Sequence, residues 1–94
     1  MGVLALSASL GVMPVQANCL AAWEIQETLA QGKAIEPRKA ISIAREQVSG
    51  ADVMRGGLCR NGDTLIYQVL MLRKDGRVVS VTIDASSGKV VGVY

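Results

Sequence analysis

Residues 63–93, DTLIYQVLMLRKDGRVVSVTIDASSGKVVGV, read as three strands joined by two turns, and the rest of the chain is organised around them. From Leu65 to Leu72 every residue but Gln68 is apolar or aromatic. That composition predicts a central strand buried on much of both faces. Lys74, Asp75, Gly76 and Arg77 follow, and an Asp-Gly pair between β-rich runs predicts a hairpin through a type I′ turn, which needs positive φ at both central residues. Val79, Val81 and Ile83 then alternate with Ser80, Thr82 and Asp84. The period of two predicts a half-buried strand with the valine and isoleucine side chains on a core. Ala85 to Gly88 make a second turn, in which the Asp84 carboxylate accepts backbone N–H groups and Gly88 takes a left-handed conformation. Lys89 to Val93 is the closing strand.

Working outward, Ala51 to Arg60 predicts a first strand weakened by Gly56 and Gly57, residues that mark a bulge, a bend or an edge. Asn61-Gly62 turns it into the central strand. Before it, Pro37 suits a first helical position, and Ala40, Ile41, Ile43, Ala44 and Val48 form one apolar stripe of a helix from Pro37 to Val48. Arg38, Lys39 and Arg45 are interrupted by Glu36 and Glu46 and read as a solvated face rather than an anion site. A further helix is predicted over Cys19 to Gln31, capped by Asn18 and stopped by Gly32, with Ala22, Ile25, Gln26 and Leu29 at helical spacing. Its Trp23 is expected to pack over the sheet edge. The fold class is α+β: a small antiparallel β-meander of three to four strands with one or two helices on one face.

The strand carrying Tyr67, the hairpin at Asp75-Gly76, the Val79/Val81/Ile83 alternation and the run Asp84-Ala85-x-x-Gly88 resemble the PepSY domain family. The segment Ile35 to Ala44, with its break at Ser49-Gly50, resembles that family's opening helix, so the likeness extends over residues 35 to 93. The sequence departs from the family pattern at Glu36, where a Ser or Thr cap is more typical, and at Cys59, which the family does not require. The resemblance implies a role in restraining or regulating peptidases, because such domains occur in propeptides of thermolysin-type metallopeptidases and in membrane-associated regulators. It makes Tyr67, Asp75, Gly76, Asp84, Ala85 and Gly88 structural motif residues.

Composition narrows the function classes. The chain has 94 residues, ten basic and eight acidic, for a net charge of +2, and its charges are interspersed. A nucleic-acid binder shows a basic stripe or patch, which is absent here. One Trp, two Tyr and no Phe leave little for base or sugar stacking. With no histidine, the commonest general base and metal ligand are missing. Asp63, Asp75 and Asp84 stand at strand ends and turns, where aspartate is favoured for backbone hydrogen bonding, and no calcium-loop pattern exists. Ser86 and Ser87 have no base beside them. No catalytic, cofactor-binding or metal-binding residue is assigned, and the chain reads as a non-enzyme.

Residues 1–17 carry no charge and end in Pro14-Val15-Gln16-Ala17. They predict a signal peptide cleaved after Ala17, although no Lys or Arg precedes the apolar run; a buried core segment or tail anchor is the other reading. Asn18 before Cys19 argues against lipoprotein processing. Residues 18–94 are then one small domain, periplasmic or secreted, with no membrane span. In an exported small domain the even pair Cys19 and Cys59 points to a disulfide. Separate thiols are the other reading, and zinc lacks the four ligands it needs.

The leading function is a non-enzymatic exported binding module whose partner is a protein, an extracytoplasmic peptidase by the resemblance. It meets that partner through a sheet edge or the face carrying Ser80 and Thr82. The alternative is a periplasmic sensory or accessory protein that binds a small ligand or a membrane signalling or transport partner.

Overall fold

The computed structural model describes residues 18–94; the predicted signal segment lies outside the described residues. Two helices precede four strands: α1 (Ala22–Ala30), α2 (Pro37–Gln47), β1 (Asp52–Asn61), β2 (Thr64–Leu72), β3 (Val78–Asp84) and β4 (Val90–Val93). The strands form one antiparallel sheet in the order β1-β2-β3-β4, so the expected α+β meander is the observed fold. The central position of β2 follows from its near-continuous apolar run.

Register assigns the two faces of the sheet. Leu58 opposes Tyr67, which opposes Ile83, and Val69 opposes Val81. All of these side chains are buried, with Met71 beside them, and they form the core under Ala40, Ala44 and Val48. Helix α2 lies across this face because its small alanines let the backbone approach the sheet, while Ile41 and Ile43 pack along its flanks. On the opposite face Ile66, Gln68 and Leu70 of β2 are only half-buried. Burial of β2 on both faces was expected; one face is buried under α2 and the other is only half-buried, since α2 packs on the core side alone.

The turns depart from the expected types. The loop closing β1 onto β2 is Gly62-Asp63, one residue later than Asn61-Gly62, because Asn61 still pairs with Thr64 and Gly62 takes φ +66°. Between β2 and β3 the Arg73 N–H donates to Arg77 O at 2.8 Å and the Gly76 N–H to Arg73 O at 3.0 Å. Lys74, Asp75 and Gly76 are therefore a three-residue loop closed by Gly76 at φ +91°, rather than a type I′ turn. The irregularity in β1 falls between Val53 and Arg55, not at the glycines, so Met54 is the residue without a partner.

Helix α1 begins three residues later than predicted. Cys19 forms a bridge to Cys59, and the Leu20 N–H donates to Leu58 O at 2.8 Å, so this stretch adds to the outer edge of β1 before the helix starts. Asn18 is therefore not the cap; Glu24 accepts the Ala21 N–H at 2.9 Å instead. Trp23 is 69% exposed and does not cover the sheet edge. Ile25 and Leu29 are half-buried, whereas Ala22 and Gln26 are exposed. No residue of α1 is buried, and the helix is tethered at its start by the Cys19–Cys59 disulfide.

Candidate protein-binding surface

Tyr67, Ala85 and Gly88 meet at the segment that leads into α2, whereas Asp75 and Gly76 lie in the β2–β3 loop at the far end of the sheet. Ile35 donates its N–H to Ala85 O at 2.7 Å and accepts the Tyr67 hydroxyl on its own carbonyl at 2.6 Å. Ala85 is fully buried and donates its N–H to Leu65 O at 2.9 Å. Gly88 sits at φ +83° with its Cα over Ile35 and Ile43, and a side chain there would meet both. The β3–β4 turn thus clamps the entry to α2. Asp84 holds the turn: its Oδ1 accepts the Ser86 hydroxyl at 2.8 Å, the Ser86 N–H at 2.9 Å and the Ser87 N–H at 3.2 Å. Those bonds, led by the Ser86 hydroxyl, draw the Asp84 pKa below the usual aspartate range. Burial, aided by the negative charge of Glu36, pushes the Tyr67 pKa upward.

The three aspartates do not form a site. Asp63, in the β1–β2 loop, and Asp84, the last residue of β3, lie at one end of the sheet, and Asp75 lies in the β2–β3 loop at the other. There Asp75 accepts the Arg77 N–H at 3.0 Å and pairs with Arg73 at 3.3 Å. Arg38, Lys39 and Arg45 are exposed along α2, as a solvated face would be. No group of three or more His, Cys, Asp or Glu side chains that could hold a metal occurs among the described residues. None of their helices is long and apolar enough to cross a membrane.

The surfaces that remain are those of the sheet itself. Ser80 opposes Leu70 and Thr82 opposes Gln68 on the face that no helix covers. Thr82 also pairs with Gly92, whose lack of a side chain leaves room for the Tyr94 ring. Ser80 Oγ is buried with no hydrogen-bond partner among the described residues. This face is a mixed apolar and polar platform of half-buried side chains.

A family model described as "Peptidase propeptide and YPEB domain", PepSY, matches residues 34–94. The chain belongs to the PepSY family. No curated protein and no solved structure matches it. The PepSY match begins beside Ile35 and includes α2 and the whole sheet, so the clamp of Ile35, Tyr67 and Ala85 lies inside the family unit. Cys19, α1 and the disulfide anchor on the N-terminal side lie before it. The sequence signalled Asp84 and Gly88 through turn chemistry. It did not signal Ile35 as the common partner of Tyr67 and Ala85, because a connector residue that works through its backbone leaves no compositional trace.

Proposed function

We propose that this PepSY chain is an exported, non-enzymatic binding module that regulates or restrains an extracytoplasmic peptidase. The observation that carries the reading is the reach of the family match over α2 and the entire sheet, together with a sheet face that no helix covers. The propeptide character of the family supports a peptidase as partner. The Cys19–Cys59 disulfide supports an oxidising compartment, and residues 1–17 support export. The module works by placing a sheet edge, or the face bearing Ser80 and Thr82, against the partner, which needs no reacting group of its own.

The experiment is complex formation between the purified oxidised protein and each purified extracytoplasmic peptidase of the producing cell, followed by size-exclusion chromatography and light scattering. A stoichiometric complex with one of them is expected. Failure with all of them, alongside capture of a purified sensor or transporter domain from the same cell, would overturn the peptidase reading.

A further inference from the structure

The outer edge of β1 is half occupied. The Leu20 N–H bonds to Leu58 O, so the Leu58 carbonyl points away from β2. Main-chain groups alternate along a strand, and the N–H and C=O of Gly56, two residues earlier, therefore point outward on the same side. Among the described residues no backbone group pairs with them there. The chain leaves the edge after Leu20 to enter α1, so the template that Cys19 and Leu20 begin is left open at Gly56, between Arg55 and Gly57.

Two cavities meet along this open edge, and both are bordered by Ile25, Gly56 and Gly57. One, of about 180 Å³, is a notch on the core side lined by Ala40, Ile41, Leu58, Tyr67 and Val69. The other, of about 350 Å³, runs past Arg55 to Gln68 and Leu70 on the helix-free side. Gly56 lies on the core side of the strand yet is exposed, because it has no side chain to fill the notch. Arg55 is exposed and makes no ion pair among the described residues.

We infer that the β1 edge is a docking groove for an extended segment of a protein partner, one that carries an aliphatic residue next to an acidic one. The segment adds antiparallel to β1 in line with Cys19 and Leu20. Its residue opposite Gly56 enters the apolar notch, because directly opposed residues share a face. Its neighbour opposite Arg55 points to the other face, where a carboxylate complements the unpaired guanidinium. A second copy of this chain is a poorer occupant, because edge-to-edge pairing of two β1 strands brings one Arg55 towards the other. This inference rests on the protein-binding reading and names the surface it uses.

The test adds capped hexapeptides with a central valine, flanked either by glutamates or by lysines, to the isotope-labelled oxidised protein. Amide shifts and hydrogen exchange are followed. The acidic peptide is expected to bind about fivefold more tightly than the basic one, the scale of a cross-strand charge pair, and to shift and protect the Gly56 amide. Arg55→Glu should reverse the preference. Gly56→Ala adds a methyl group at ordinary contact distance, 3.7 Å from Ile41 and 3.8 Å from Val69, so it keeps the fold and narrows the notch; binding should weaken. Shifts centred on β4 or on Ser80 and Thr82, equal binding of both peptides, or protection of Gly56 that rises with protein concentration alone would each overturn the groove. If the peptide responses fail while a peptidase complex forms, the groove alone is wrong. If they succeed and no peptidase complex forms, the peptidase is the wrong partner.

Discussion

The Tyr67 hydroxyl donates to the main-chain carbonyl of Ile35 at 2.6 Å, joining the central strand to the connector before α2 across 32 residues of sequence. Ala85 holds the N–H of the same residue from the other side. Three parts of the fold therefore meet at one backbone unit.

Tyr67→Phe keeps the ring in the core and removes the donor, leaving the Ile35 carbonyl short of a partner. The expected loss is about 1 to 2 kcal/mol, read from urea unfolding. The variant also changes the alkaline limb. Burial raises the Tyr67 pKa in the folded state, so its contribution is full below the ordinary tyrosine range and is lost as pH rises through the raised value. The wild type should lose stability over that window, and Tyr67→Phe should lose less of it. Equal alkaline limbs in the two proteins would count against the bond.

Asp84→Ala should loosen the β3–β4 turn, because the Ser86 hydroxyl and the Ser86 and Ser87 N–H groups lose their acceptor. The folded-state pKa of Asp84 is lowered, so its contribution is present above the ordinary aspartate value and is lost as pH falls through the lowered one. Thermal unfolding near neutral pH should show a lower midpoint for the variant. The difference should shrink in acid, and a constant difference would contradict the assignment.

Replacing Cys19 and Cys59 together by serine opens a loop of sequence separation 40, worth about 4 kcal/mol on the chain-entropy estimate. The loss is expected to be local in its first effects. Helix α1 buries none of its residues, whereas α2 and the sheet share the core. Amides of residues 19–31 should exchange faster at once, and those of β2 and β3 should stay the slowest. Uniform loss of protection would show that α1 is part of the core.

Trp23→Ala should leave stability within about 0.5 kcal/mol, as surface substitutions usually do. Its 69% exposure gives the ring little to lose. A larger change would restore the expectation that Trp23 covers the sheet edge.

The meander was legible because β2, β3 and their turns carry strong local signals: a continuous apolar run, a strict alternation and glycines beside aspartates. The exact turn at Asp75-Gly76 was not, since an Asp-Gly pair serves both a two-residue loop and the three-residue loop found here, and only the bond from Arg73 to Arg77 separates them. The start of α1 was misread because Cys19 and Leu20 have helix-compatible neighbours, and pairing with β1 is a tertiary choice that overrides local propensity. Gly56 and Gly57 were legible as part of an edge strand, although the bulge itself lies at Met54. That they open a groove beside Arg55 depends on where Ile25 and Ile41 stand, which no local pattern encodes.

The most direct test of the account is the rate of a purified extracytoplasmic peptidase from the producing cell, titrated with the oxidised protein. For one such peptidase the rate is expected to fall and to saturate as the complex forms. Unchanged rates for every peptidase, with no complex detected at any ratio, would contradict it.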